Sequence, residues 1–109
     1  MQSYSLPSNS YIDLTLGNTN TLYTAPADGY FTFGKEGSSS IGNHQFNGLY
    51  LYHNGADIGG TNQSCCTSNH SIPILILPVK KGNIVRISYT TTGALHYFRF
   101  IYALGSQPA

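Results

Sequence analysis

Leu95-His96-Tyr97-Phe98-Arg99-Phe100-Ile101-Tyr102-Ala103, near the C-terminus, decides the fold. Strand side chains alternate between faces. The alternation sets His96, Phe98, Phe100 and Tyr102 on one side, and Leu95, Tyr97, Arg99 and Ile101 on the other. Both sides are largely apolar. A sheet in a small soluble monomer keeps one wet face, so this strand needs cover on each side, from its own core and from something else. A second copy of the chain is the expected second cover.

The rest of the composition agrees with an uncharged, β-rich domain. At 109 residues the chain has room for one core, because a domain of this size buries roughly two thirds of the surface its unfolded form exposes. Only 8% of its residues are charged, against about a quarter in an average globular chain. Solubility therefore rests on Ser, Thr, Asn and Tyr. Net charge is +1 and the five basic residues are scattered, so no electrostatic footprint for nucleic acid or anionic lipid is expected. The longest apolar run, residues 72–79, contains Pro73 and Pro78 and falls short of the roughly 20 residues of a membrane helix. No membrane insertion is expected. Met1-Gln2-Ser3-Tyr4 lacks the basic start and apolar block of a secretory signal.

Cys65 and Cys66 are adjacent. Their Cα atoms are about 3.8 Å apart, below the usual disulfide range of roughly 4.4–6.8 Å. Two reduced thiols in a loop are expected, with a vicinal disulfide, an intersubunit bridge or metal binding as alternatives.

In chain order, residues 1–10 are polar and predict an N-terminal arm or linker. Residues 11–16 alternate with Ile12, Leu14 and Leu16 inward. Residues 21–24 and 30–33 follow as short strands around the Pro26 to Gly29 turn. Residues 34–43 read as a Gly/Ser loop, and 46–53 as a strand stopped by Asn54-Gly55. Residues 56–71 show no apolar periodicity, which predicts a long irregular segment of the kind that is functional, mobile or hides a short strand. Residues 72–77 predict a buried strand, 84–90 an alternating one, and 95–103 the last. Residues 11–104 thus form one head domain, and 105–109 a tail. With no helical window, the fold class is all-β, an antiparallel jelly-roll sandwich of seven to eight short strands. Residues 49–52, 72–77 and 95–102 carry more large apolar side chains than one interior takes up. A homo-oligomer is the ordinary remedy.

Four fragments carry a resemblance. They are Ala25-Pro26-Ala27-Asp28-Gly29-Tyr30-Phe31-Thr32-Phe33, Leu49-Tyr50-Leu51-Tyr52-His53-Asn54-Gly55, Leu77-Pro78-Val79-Lys80-Lys81-Gly82-Asn83-Ile84-Val85, and the aromatic last strand. Their order resembles C1q/TNF-like jelly-roll heads, and more closely the small C-terminal tip domains of bacteriophage tail fibres and bacterial surface fibres. The resemblance implies a homotrimer about a threefold axis, located in the virion or at a cell surface, with loops displayed for recognition. Asn83 stands where the family pattern usually has Asp, and residues 89–95 are too short for the extra strand of a full C1q head. The calcium site of larger heads is not expected.

Chemistry-bearing groups are sparse. Were residues 84–90 and 95–102 a direct hairpin centred on Thr92-Gly93, Arg86 would face Arg99, and like charges directly opposite destabilise a sheet. Either the topology separates these strands, an acid such as Asp13 neutralises the pair, or an anion binds there. His44, His53, His70 and Asp57 match no compact zinc or calcium spacing, and no metal or other cofactor is expected. No Gly-x-Ser-x-Gly elbow occurs and the four acids are scattered, so the chain is not expected to be an enzyme. Paired-carboxylate chemistry stays formally open on Asp28, Glu36 or Asp57. Binding suits the composition better, because Asn, Ser and Tyr offer hydrogen bonds and flat apolar faces at modest entropy cost. The candidate ligand residues are His53, Asn54, Asp57, Asn62, Asn69 and His70, with a cell-surface glycan or surface protein as the partner. The candidate oligomer interface is Tyr50, Tyr52, Leu95, Tyr97, Arg99 and Ile101. The expected function is a receptor-binding fibre tip that recognises surface glycan without covalent chemistry. A trimerisation module with no ligand of its own is the alternative.

Overall fold

The computed structural model describes residues 6–36, 45–65, 74–91 and 94–106. Among these residues there are eight β-strands and no helix: β1 (Pro7–Asp13), β2 (Leu22–Thr24), β3 (Gly29–Lys35), β4 (Gln45–His53), β5 (Ala56–Cys65), β6 (Ile74–Val79), β7 (Ile84–Tyr89) and β8 (Leu95–Ala103). They form two antiparallel four-stranded sheets, in the orders β1-β8-β3-β6 and β2-β7-β4-β5. The all-β antiparallel sandwich expected from strand spacing is what forms. Pairing is nested: first with last, second with seventh, third with sixth, fourth with fifth.

The core lies between the sheets and is aromatic on one side and aliphatic on the other. Phe31 and Phe33 of β3 pair in register with Phe100 and Phe98 of β8, so their rings point the same way and meet edge to face at 5.2 and 5.8 Å. That geometry suits the ring quadrupole. Leu49, Val85 and Ile87 close the core from the facing sheet, all fully buried. Tyr23 adds an edge contact to Phe98 at 4.9 Å. At one end Asn47, also fully buried, ties three elements together. Its Nδ2 donates to Lys35 O at 3.0 Å, and its Oδ1 accepts from Thr91 Oγ1 at 2.7 Å. Lys35 Nζ in turn donates to Thr91 O and sits 5.1 Å from the centre of the Tyr89 ring. Burial holds the Lys35 ammonium below its ordinary pKa.

Several sequence expectations change here. Residues 56–65, expected to be irregular, form the ten-residue strand β5. It is an edge strand, exposed along most of its length, so it has no core-facing residues to alternate. Asn54 and Gly55 both have positive φ, 51° and 81°, as the two-residue turn of a hairpin requires. That turn sets β5 directly against β4. β1 likewise begins at Pro7, within the stretch that composition assigns to an arm, because an exposed edge strand needs only backbone partners. In β6 only alternate residues are covered: Leu75 and Val79 are buried, while Ile74 and Ile76 are each 56% exposed. Pro78 is tolerated because β6 is also an edge. β7 and β8 lie in different sheets, so Arg86 does not face Arg99.

His96 is not in the interior. The β3–β8 register steps from Gly34↔Tyr97 to Lys35↔Leu95, leaving His96 as the extra residue of a bulge. It is exposed, and its Nε2 lies 2.7 Å from Glu36 Oε2.

Candidate functional site

The exterior of the β1-β8-β3-β6 sheet is the first candidate. Alternation with buried Phe98, Phe100 and Tyr102 turns Tyr97, Arg99 and Ile101 outward on β8. Registered pairing adds Tyr11 and Asp13 from β1, Tyr30 and Thr32 from β3, and Ile74, Ile76 and Pro78 from β6. Tyr11 is half exposed, as are both isoleucines. Arg99 lies in the middle of this face. Its Nε donates to Asp13 Oδ1 at 2.9 Å, and its guanidinium lies 4.7 Å from the Tyr11 ring centre and 5.7 Å from that of Tyr97. Burial pushes the Tyr97 phenol above its ordinary pKa, with Arg99 opposing the shift. The neutralisation of Arg99 by Asp13 is one of the arrangements anticipated from sequence.

The exterior of the other sheet is more polar. Arg86 makes a two-pronged contact with Asp57, Nε to Oδ1 at 3.0 Å and Nη2 to Oδ2 at 2.7 Å, and donates to Asn20 Oδ1. Its guanidinium also stacks 4.8 Å from the centre of Tyr50, whose hydroxyl accepts from Asn62 Nδ2 at 3.2 Å. The hydrogen bonds from Arg86 hold the Asp57 carboxyl below its usual range and raise the guanidinium in turn, with partial burial opposing both. Backbone shape permits the cluster. Gly60 has φ +148°, and a Cβ there would sit 2.3 Å from Leu49 O and 2.7 Å from the Tyr50 Cα.

A register shift between Leu51 and Tyr52 brings Asp57 into this group. Leu51 pairs with Gly59 and Tyr52 with Asp57, so Ile58 is the unpaired residue of a bulge, 60% exposed. Beside it, the β4–β5 turn and the β6–β7 turn enclose a groove of about 380 Å³, which includes Tyr52, His53, Asn54 and Asn83.

The predicted ligand residues therefore divide. Asp57 and Asn62 join the Arg86–Tyr50 cluster, while His53 and Asn54 line the end groove. Asn69 and His70 lie outside the described residues, as do His44, residues 37–44 and Cys66. The predicted interface residues divide as well. Tyr97, Arg99 and Ile101 share one face, whereas Tyr50 and Tyr52 belong to the other sheet. Leu95 pairs with Lys35 beyond the His96 bulge, which interrupts the alternation grouping it with Tyr97. Each acid considered for paired chemistry has its own partner: Asp28 Oδ1 accepts from Lys81 N at 2.8 Å, Glu36 meets His96, and Asp57 meets Arg86. Among the described residues no three His, Cys, Asp or Glu side chains converge to hold a metal ion. Asn20, Ile58 and Asn83 were not anticipated as site residues. Ile58, a lone large aliphatic in an otherwise polar stretch, was the available signal.

No family model matches the chain, no curated protein matches it, and no solved structure matches it.

Proposed function

We propose that the chain is the head of a homotrimeric surface fibre, a receptor-binding tip like those of phage tail fibres, placed in the virion or at a cell surface. It associates through the exterior of the β1-β8-β3-β6 sheet. It recognises a cell-surface glycan, without covalent chemistry, through the other sheet and its turns. The observation that carries this reading is the contrast between the two exteriors. One sets exposed isoleucines and Tyr11 around the Arg99–Asp13 pair; the other gathers Tyr, Asn, Arg and Asp.

A face whose charges are compensated internally packs against a neighbouring copy without like-charge repulsion, and its exposed isoleucines and tyrosines gain from being covered. The nested pairing of eight strands in two sheets supports a jelly-roll winding. That winding agrees with the C1q/TNF-like resemblance.

A glycan array probed with the purified oligomer tests the recognition half. Binding to a subset of surface polysaccharides is expected. A stable oligomer that binds none would leave the alternative, a trimerisation module with no ligand. The mutual satisfaction of Arg86 and Asp57 favours that alternative, since neither needs a ligand.

A further inference from the structure

The groove between the β4–β5 and β6–β7 turns differs from the rest of the surface in the chemistry of its wall. Leu51, Ile58 and Ile84 supply apolar surface, and Tyr52 adds an aromatic ring. Ile58, unpaired at the bulge of an exposed edge strand, is 60% exposed there. His53, Asn54 and Asn83 supply the polar rim. Asn83 Oδ1 is taken by Lys80 N at 2.8 Å, whereas the side chains of His53 and Asn54 have no hydrogen-bond partner among the described residues. Among the described residues no carboxylate or ammonium lines the groove. Asp57, close in sequence, is held by Arg86.

A wall of this kind suits a neutral sugar ring. A neutral pyranose presents a face of C–H groups and a rim of hydroxyls that both donate and accept. Aliphatic and tyrosyl surface covers the first, and amide and imidazole groups answer the second. A charged sugar would set its carboxylate against lining side chains that carry no ammonium or guanidinium, Lys80 and Lys81 of the adjoining turn lying outside the lining. The volume falls at the small end of ligand pockets, which run to roughly 300–1,000 Å³. The groove is built by β4, β5 and β7 and their turns, so it stays open when the exterior of the other sheet is covered.

We infer that this groove is a subsite for one neutral sugar ring, recognised by stacking on Tyr52 and Ile58 and by hydrogen bonds to His53, Asn54 and Asn83. This inference rests on the glycan reading above. Its test is a titration of the ¹⁵N-labelled chain, in its native oligomer, with the methyl glycosides of glucose, galactose, mannose and N-acetylglucosamine. Glucuronate serves as the charged comparison. Amide shifts centred on residues 51–58 and 82–84 are expected with at least one neutral glycoside and not with glucuronate. Two variants preserve the fold: Asn54→Gly keeps the positive φ, and Ile58→Ser alters an exposed position. Each should weaken the neutral sugar by roughly three- to tenfold. Array binding that survives both variants unchanged would overturn the groove and leave the glycan reading standing. Equal shifts with glucuronate would overturn its neutral selectivity. Absence of any glycan binding by the native oligomer would overturn both the groove and the reading beneath it.

Discussion

Arg99 Nε donates to Asp13 Oδ1 at 2.9 Å across the β1–β8 pair, where the two residues stand directly opposite one another. Both side chains are substantially exposed in the single chain, 39% and 74%, so the pair contributes about 1 kcal/mol or less there. Once the face is covered, breaking the pair leaves a desolvated charge. Arg99→Glu should therefore dissociate the oligomer while shifting the monomer's thermal midpoint little. Adding Asp13→Arg should restore association. Sedimentation velocity of the single and double variants checks both.

The two faces of β8 make a second prediction. Tyr97→Asp and Ile101→Asp should abolish association yet leave a folded chain. Phe98→Ala, at a position 2% exposed and ringed by Tyr23 and Phe33, should cost about 3–5 kcal/mol of fold stability. Urea unfolding at several chain concentrations separates them: Phe98→Ala keeps the parent's concentration dependence at a lower midpoint, whereas the two Asp variants lose it. Equal losses from all three would contradict this assignment of the two faces.

Asn47 joins the ends of the two sheets through Lys35 O and Thr91 Oγ1. Asn47→Ala strands both partners in a buried place, and an unsatisfied buried polar group costs about 1–3 kcal/mol. A loss of at least about 2 kcal/mol is expected in urea unfolding.

Asp57 sets a pH dependence. Its pKa is lowered in the folded chain, chiefly by the hydrogen bonds from Arg86. A depressed carboxylate contributes stability that is fully present above its unfolded value, here the ordinary 3.8, and is lost as pH falls through the lower folded value. The pair is partly exposed, so the contribution is about 1 kcal/mol or less. Asp57→Asn should be less stable than the parent at neutral pH, and the two should converge in acid. A gap independent of pH would contradict the assignment.

The sequence shows the covered strands well and the edge strands poorly, for one physical reason. Phe31, Phe33, Phe98 and Phe100 alternate because one side of their strands meets the core. β5 and the start of β1 are held by backbone pairing and bury little, so nothing in residue order marks them. The bulges at Ile58 and His96 are invisible for a related reason, since an extra residue changes register without changing composition. The partner of Arg99 could be anticipated because few acids exist to choose from. That of Arg86 could not, because Asp57 reaches it only through the pairing of β4 with both β5 and β7. Asn54-Gly55 was legible as a turn, and with it one wall of the end groove. The opposite wall, from Gly82 to Ile84, is likewise legible as a turn running into a strand, but its approach to Asn54-Gly55 depends on tertiary placement.

Self-association through the exterior of the β1-β8-β3-β6 sheet is the claim on which the functional reading stands. Light scattering coupled to size exclusion, at micromolar chain concentration, tests it most directly. A mass three times the 11.8 kDa of the chain is predicted. A single species at 11.8 kDa would contradict it.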